Sequence, residues 1–264
     1  NEFRRYQTDQ LIQHNQRRKA EHPNPITRCG QQLFSQSDED GVTIEILRRM
    51  GMLKGHHYNP YRFAEIGVEN GTQCNTLVLA AMGWEGVWYD QVELGYEIPN
   101  PERLKHVKTR VTRRDVYDLL TEEVDKNRMP LPIDVLSVDV DGTDYHLCQA
   151  LLHEPAEYIR PALVIVEYNA DFPPPVPFVQ DYNDDYQWDH SNYYGASLQS
   201  LSDLFGRSGY RLVACNAVRG DMFKNGMFDD VPRDIRDIYV PPHYQLDVKF
   251  SHGPSLETVK RVLR

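Results

Sequence analysis

The sequence has few of the features that mark secreted, membrane-spanning or zinc-binding proteins. Its 264 residues include four cysteines, none of them in a C-x-x-C pair. This spacing argues against both a zinc cluster and a disulfide framework. The longest purely apolar stretches, 77–82 and 162–166, fall far short of the roughly 18 residues that a membrane-spanning helix needs. With no secretory signal at its polar N-terminus, the chain is expected to be a cytoplasmic protein that makes no membrane contact.

Positive charge and histidine motifs are also scarce. Lys and Arg total 29 against 39 Asp and Glu, so the formal net charge is -10. No cluster of Lys and Arg is dense enough to follow a phosphate backbone, which argues against a nucleic-acid partner. The ten histidines form no H-E-x-x-H or H-x-H motif, so a histidine-based metal site is not expected.

The chain divides into an arm, a domain and an extension. Residues 1–33 are polar and rich in Gln and Arg, which predicts an N-terminal arm that docks on the domain or on another subunit. Residues 34–228 form the expected domain. Residues 229–264 are rich in proline and predict a C-terminal extension that wraps the domain or joins a partner. A homo-oligomer held by these terminal segments is one expectation.

Within the domain, short aliphatic runs alternate with amphipathic stretches. Strands of unbroken Val, Ile and Leu separated by helices indicate a doubly wound α/β fold with a mostly parallel sheet. In such sheets a ligand binds beyond the carboxyl ends of the strands. The predicted strands are 62–68, 86–89, 106–112, 133–140, 161–168 and 210–215, and the predicted helices are 42–50, 72–82, 116–124, 144–152 and 196–205.

The first predicted strand runs into a glycine-containing turn, Glu65-Ile-Gly67-Val-Glu69-Asn-Gly71. Two glycines at a strand-to-helix turn let a ligand approach the backbone closely. Glu65 and Glu69 would repel a pyrophosphate, but they suit a cationic, amine-bearing ligand such as S-adenosylmethionine. A tight turn with solvated acids is the alternative.

Two further acids follow the next strands. Asp90 ends the second strand, the usual place in nucleotide-binding α/β folds for an acid that binds both ribose hydroxyls. Asp115, after the third strand, is placed to accept a hydrogen bond from an adenine amine. Asp90 as a surface residue and Asp115 as a helix N-cap are the alternatives.

A candidate metal and catalytic set follows the fourth and fifth strands. Asp139 and Asp141 share a face if the chain stays extended, and Glu167 and Asn169 repeat that spacing. If the two strands are neighbours, these oxygens form a set that suits Mg²⁺ far better than zinc. Helix caps and ordinary hydrogen bonds are the alternative. His146, in the following helix, is a candidate general base, with a structural role as its alternative.

The segment 170–194 departs from the α/β rhythm because it is long and dense in proline and aromatic residues. Long loops at the functional end of a scaffold are often lids or binding loops. We expect this one to bind the substrate by supplying a stacking wall over an acceptor. A proline-stiffened structural flap is the alternative.

Taken together, these motifs resemble class I S-adenosylmethionine-dependent methyltransferases, in particular the FkbM-like group. The resemblance runs from residue 34 to residue 223 and leaves out both termini. The matching motifs are Phe34-Ser-Gln-Ser-Asp-Glu-Asp-Gly41, Ala64-Glu-Ile-Gly-Val-Glu-Asn-Gly71, Gly83-Trp-Glu-Gly-Val-Trp-Tyr-Asp90, Ser137-Val-Asp-Val-Asp-Gly-Thr-Asp144, Val166-Glu-Tyr-Asn169 and Tyr193-Tyr-Gly-Ala-Ser-Leu198.

The resemblance implies a seven-stranded sheet that ends in an antiparallel hairpin, at 210–215 and 221–228. It implies methyl transfer from S-adenosylmethionine to a hydroxyl of a small acceptor, a sugar or a secondary metabolite, with Mg²⁺ as a candidate second cofactor. The catalytic candidates are then Asp139, Asp141 and His146, and the metal ligands are Asp139, Asp141, Glu167 and Asn169. The resemblance places Glu65, Gly67 and Gly71 at the methionine end of the cofactor, Asp90 at the ribose and Asp115 at the adenine; Glu69 and Asp139 are further candidates for cofactor contact.

Two other functions remain open at the level of sequence. A metal-dependent glycosyltransferase could use Asp139 and Asp141 to hold the diphosphate of a nucleotide sugar, although the acidic glycine turn would repel that donor. A non-catalytic interaction module on the same scaffold is the third hypothesis.

Overall fold

The fold is that of a computed structural model, which describes residues 13, 16–53, 61–126, 133–154, 159–189, 191–216, 219–224, 228–242, 259–260 and 263. Seven strands in this part of the chain form one sheet. They are β1 Arg62–Ile66, β2 Glu85–Asp90, β3 Leu104–Lys108, β4 Val135–Val138, β5 Leu163–Glu167, β6 Tyr210–Cys215 and β7 Arg219–Lys224. The helices are α1 Glu39–Met50, α2 Leu77–Ala81, α3 Val116–Lys126, α4 Asp144–His153, α5 Leu198–Arg207 and α6 Ile235–Ile238, with a 3₁₀ turn at Thr27–Cys29.

The strand order is β3-β2-β1-β4-β5-β7-β6. Strands β1 to β5 are parallel to one another, and β7 lies antiparallel between β5 and β6. The expectation of an α/β fold with a mostly parallel sheet is therefore confirmed. Strands β1, β4 and β5 are buried along their whole length, as central strands of a sheet covered on both faces are.

The helix after β1 begins later than the sequence predicts. A helix over 72–82 was expected, but α2 spans only Leu77–Ala81. The side chain of Glu65 accepts the backbone N–H groups of Asn75 and Thr76, at 2.8 and 3.0 Å. These bonds to a buried carboxylate hold the chain in a wide turn, and the helix starts only after them.

Strand β3 also differs from its prediction, since it covers Leu104–Lys108 rather than 106–112. The backbone N–H of Thr109 bonds the Asp90 carbonyl at 2.8 Å, and the chain then leaves the sheet. Of the predicted hairpin, β6 matches 210–215, and β7 ends at Lys224. Residues 225–227 lie outside the described residues.

Both terminal segments pack on the domain near β6. Ile26 is fully buried in the core, and the buried Asn24 donates from its side-chain amide to the carbonyl of Val213 at 2.7 Å. On the C-terminal side, Arg211 in β6 donates to the carbonyls of Val231 and Pro232. Residues 1–12 of the predicted arm and 243–258 of the predicted extension lie outside the described residues. No helix in the described part of the chain is long and apolar enough to span a bilayer.

Candidate functional site

The strand register brings the predicted polar residues to one edge of the sheet. Ile66 pairs with Tyr89 on one side and with Val138 on the other, and Val138 pairs with Val166. The next residue along each of these four strands is Gly67, Asp90, Asp139 or Glu167. These four residues therefore stand side by side at the carboxyl edge, where open α/β sheets bind their ligands.

The glycine turn passes so close to β4 that no side chain fits. Gly67 has φ +90°, and an added Cβ would overlap the carbonyl oxygen of Asp139. Gly71 has φ +80°, and its Cβ would lie 2.8 Å from the hydroxyl of Tyr96. The same hydroxyl donates to the Gly71 carbonyl at 2.8 Å. The loop after β2 thus packs on the turn and fixes its shape.

Glu65 lies beneath the turn and is 1% exposed. In addition to the two backbone N–H groups, its carboxylate accepts the hydroxyl of Thr76 at 2.5 Å. Burial raises the pKa of Glu65 to about 7, while the hydrogen bonds from Thr76 and Asn75 act to lower it. Trp88 and Asn75 extend this network, because Trp88 donates to the Thr76 hydroxyl and Asn75 donates to Ser137. Glu65 therefore fixes the backbone of the turn.

The other predicted cofactor residues lie nearer the solvent. Glu69 is exposed, with φ 48°, and its backbone N–H bonds the carboxylate of Asp90 at 2.7 Å. The second oxygen of Asp90 accepts the N–H of Val92 at 2.8 Å. Asp90 thereby ties the glycine turn to the loop after β2. Asp115 immediately precedes α3 and accepts the N–H of Thr112 at 2.7 Å.

Three carboxylates meet between β4, β5 and α4. Oxygen atoms of Asp139, Asp144 and Glu167 all lie within 4.8 Å of one another, and Asp144 is 1% exposed. Burial first, and then the charge of Asp139, raise the pKa of Asp144. Like charges this close are costly unless a proton or a cation compensates them. This acid cluster (Asp139, Asp144 and Glu167) therefore has the ligand chemistry of a site for a hard divalent ion.

The other two predicted metal ligands occupy different environments. Asp141 is exposed and has φ 55°. The chain is no longer extended there, so the argument that Asp139 and Asp141 share one face of a strand does not apply. Asn169 is fully buried. Its amide donates to the carbonyls of Asn192 and Tyr194, both at 2.9 Å, and its oxygen accepts the N–H of Asp171 at 3.0 Å. Asn169 thus clamps the two ends of the predicted substrate loop together.

His146 contacts the same loop. Its Nε2 lies 2.8 Å from the carbonyl oxygen of Gln180, so this nitrogen carries the proton in that bond. The ring also packs edge-on against Tyr145 and Tyr182, with centroid distances of 5.5 and 5.1 Å. In this structure His146 supports the loop.

Residues 170–194 are hereafter called the aromatic loop, and the described residues of this loop lie over the acid cluster. A Cβ added to Gly142, between Asp141 and Asp144, would overlap the ring of Tyr186. Burial raises the pKa of Tyr194, and Glu167 is the next largest cause. The aromatic loop therefore forms one wall of the site at the end of β4 and β5.

Sequence reasoning did not assign a role to several residues that the structure brings to the site. Asp144 was visible as a third acid after β4, and its position just before a helical run was the available signal. Its oxygens accept the N–H groups of Val140 and Gly142, at 2.8 and 2.9 Å. The long-range contacts of Arg110 and Arg113 with the aromatic loop had no signal in the sequence.

Comparisons with known proteins do not identify a family. No protein-family model matches the sequence, and no curated protein matches it. Among solved structures, a putative ribosomal RNA methyltransferase from Plasmodium falciparum is 12% identical with a TM-score of 0.40, and the match covers 70% of this chain and 94% of that chain. An O-methyltransferase family protein from Burkholderia thailandensis is 11% identical with a TM-score of 0.36, covering 83% and 71%.

A methyltransferase of calicheamicin biosynthesis, in its SAH-bound form, is 16% identical with a TM-score of 0.36. The match covers 70% of this chain but only 56% of that chain, so this chain spans about half the length of that protein. Similarities as loose as these do not decide function.

Proposed function

We propose that the protein is an S-adenosylmethionine-dependent O-methyltransferase of the FkbM-like group, acting on a hydroxyl of a small acceptor. The observation that carries this proposal is the row of Gly67, Asp90, Asp139 and Glu167 at the carboxyl edge of the sheet. The strand order, with an antiparallel strand inserted beside β5, supports it because the sequence resemblance implies a sheet that ends in such a hairpin.

The charge at the glycine turn favours a cationic cofactor. Glu69 is exposed beside the turn, and Asp90 stands next to it. These carboxylates would attract the sulfonium and ammonium groups of S-adenosylmethionine and would repel a pyrophosphate. We assign Glu69 to the amine end and Asp90 to the ribose hydroxyls, with Asp115 toward the adenine. The buried Glu65 acts indirectly, by holding the turn.

The acid cluster fits Mg²⁺, because its donors are all oxygen and its charges need compensation. Asp139, Asp144 and Glu167 would hold the ion. We leave Asn169 out of this set because its amide clamps the aromatic loop, and Asp141 because its backbone turns away from the extended path. A bound Mg²⁺ would lower the pKa of an acceptor hydroxyl. The protein itself has to align that hydroxyl with the transferred methyl group and to exclude water.

The proposal is tested by calorimetric titration of the cofactor-stripped protein with S-adenosylhomocysteine, with and without Mg²⁺. We expect a dissociation constant in the micromolar range. A Glu69→Gln variant should bind about tenfold more weakly, a loss of ~1.4 kcal/mol, because it removes the charge assigned to the amine. Glu102→Gln, which changes an equally exposed glutamate outside the site, should bind like the wild type.

Absence of S-adenosylhomocysteine binding under both conditions would overturn the proposal. Binding of a nucleoside diphosphate in the presence of Mn²⁺, without binding of S-adenosylhomocysteine, would instead support the glycosyltransferase hypothesis. Equal loss of affinity in Glu69→Gln and Glu102→Gln would show that the exposed acid of the turn has no specific role.

A further inference from the structure

The aromatic loop presents two large rings to solvent. Trp188 is 42% exposed and Tyr193 is 49% exposed. With Val176, they make up three of the six large hydrophobic side chains that are exposed in the described part of the chain. Exposed apolar side chains that lie close together mark binding surfaces more often than isolated ones do.

These rings are held in place by their neighbours. Trp188 packs against Tyr194 with centroids 5.7 Å apart, and its indole N–H donates to the carbonyl of Ser191 at 2.9 Å. Tyr193 packs edge-on against Phe178, also at 5.7 Å, and Phe178 stacks on Phe172 at 4.0 Å. Each exposed ring is thus held by an aromatic neighbour, and Tyr194, which contacts Trp188, follows Tyr193 in the chain. We call Trp188, Tyr193 and Tyr194 the aromatic platform.

The aromatic loop that carries the platform is itself acidic. Residues 170–194 contain five aspartates and no Lys or Arg. Asp181 accepts the hydroxyl of Tyr193 at 3.2 Å, and Asp171 and Asp185 are exposed. The backbone carbonyl of Tyr194 accepts the side-chain amide of Asn169 at 2.9 Å, and Asn169 lies two residues after Glu167 of the acid cluster.

The nearby arginines are already used to hold the loop. Arg110 donates to the carbonyl of Tyr186 at 2.9 Å, and Arg114 lies 3.3 Å from Asp184. The guanidinium of Arg113 lies over the ring of Tyr182, 4.3 Å from its centroid. This last contact shows that a ring of this loop accepts a cation on its face.

We propose that the aromatic platform binds an acceptor that carries a positive charge: a small hydroxylated organic cation such as a protonated amine or a quaternary ammonium compound. This inference rests on the proposed methyltransferase function and names the substrate class of that site. The negative face of an aromatic ring attracts a cation, and the aspartates of the aromatic loop add to this attraction.

The charged group of the acceptor would rest on the platform, while its hydroxyl points toward the acid cluster. In the transfer step, an electron pair of the hydroxyl oxygen forms the new O–CH₃ bond. The electron pair of the S–CH₃ bond returns to sulfur, and S-adenosylhomocysteine leaves. The hydroxyl proton is released to a carboxylate or to solvent.

The test compares two pairs of probes that differ in charge, using protein saturated with S-adenosylhomocysteine. Choline is compared with its neutral isostere 3,3-dimethylbutan-1-ol, and tyramine with its neutral isostere 4-propylphenol. Binding is measured by ligand-observed NMR and by the fluorescence of the protein. We expect at least one cation to bind at least tenfold more tightly than its neutral partner, and the difference to shrink at high salt.

Variants locate the binding site. Trp188→Ala and Tyr193→Ala should each weaken binding of the preferred cation by fivefold or more, because each removes a ring of the platform. Leu33→Ala, which shortens another exposed apolar side chain, serves as the matched control and should leave binding unchanged. Affinity for S-adenosylhomocysteine should be the same in all three variants.

The result separates this inference from the proposed function. If S-adenosylhomocysteine binds but neither pair shows a preference for the cation, or no probe binds at all, the cationic acceptor is wrong and the methyltransferase proposal stands. If Trp188→Ala and Tyr193→Ala both keep the wild-type preference for the cation over its neutral partner, the platform is not the binding site and the inference is also wrong. If S-adenosylhomocysteine itself does not bind, the proposed function fails, and with it this inference about its acceptor.

Discussion

Glu65 illustrates at the scale of one residue how a buried acid shapes the candidate cofactor turn. Its carboxylate is buried and accepts bonds from Asn75 and Thr76. In Glu65→Gln, an amide N–H₂ group replaces one carboxylate oxygen and faces a hydrogen-bond donor of Asn75 or Thr76. At least one of the hydrogen bonds to this side chain is therefore lost. We expect the variant to be destabilised by about 1–3 kcal/mol at pH 5, measured as the free energy of unfolding in urea.

The same residue should make stability depend on pH. The pKa of Glu65 is about 7 in the folded protein, against a usual 4.5. Between these values the folded state holds a proton that the unfolded state has released, so stability falls as pH rises from 4.5 to 7. The full shift corresponds to about 3 kcal/mol. The free energy of unfolding of Glu65→Gln should therefore fall less steeply with pH than that of the wild type. The difference in stability between the two proteins should narrow toward pH 8. If stability depends on pH in the same way in the wild type and in Glu65→Gln, Glu65 is not the group responsible. Glu102→Gln is the control and should follow the wild-type curve.

At the scale of secondary structure, the sequence predicts strands better than it predicts the turns between them. Apolar runs locate β1, β4, β5 and β6 to within a few residues, because nearly every position of these strands is buried. The start of α2 was missed because it depends on Glu65, which reaches residues ten and eleven places along the chain. Helical periodicity carries no information about such a contact.

The same limit explains the make-up of the acid cluster. The sequence placed Asp139 and Glu167 at the ends of adjacent strands, and the register brings them together with Asp144. The pairing of Asp139 with Asp141 assumed an extended chain, whereas β4 ends at Val138 and Asp141 has a positive φ. Where a strand ends decides which side chains meet, and apolar patterning locates that end only approximately.

The aromatic loop yields a prediction at this scale, because Asn169 holds its two ends together. Replacing Asn169 with Ala removes both donors to the carbonyls of Asn192 and Tyr194. We expect amide hydrogens in 170–194 to exchange at least tenfold faster, measured by mass spectrometry, while those of β1 and β4 keep their protection. Gln187→Ala, which changes an exposed amide side chain of the same loop, should not have this effect. Unchanged exchange in the Asn169 variant would show that the loop is held by its other contacts.

Across the whole molecule, the two edges of the sheet are protected in different ways. Edge strands expose unpaired backbone groups and are liable to pair with other chains. At one edge, β3 carries Lys105 and Lys108, and charged side chains disfavour such pairing. At the other edge, β6 is contacted by segments from both terminal parts of the chain: Asn24 bonds the Val213 carbonyl, and the Val240 N–H bonds Cys215.

This arrangement makes the N-terminal segment part of the stability of the sheet, and Asn24 offers the sharpest test. The residue is fully buried, donating to Val213 and accepting the N–H of Ile26 at 3.1 Å. Asn24→Ala leaves a buried carbonyl of β6 and a buried N–H unpaired, so we expect a loss of about 2–4 kcal/mol in the free energy of unfolding. Gln199→Ala removes an amide that bonds Asp203 on an exposed helix surface and should cost less than about 0.5 kcal/mol. If the Asn24 variant is as stable as the Gln199 variant, the contacts of Asn24 do not contribute to the stability of the sheet. If it unfolds earlier and β6 loses its exchange protection first, residues well before the candidate site hold the edge of the sheet.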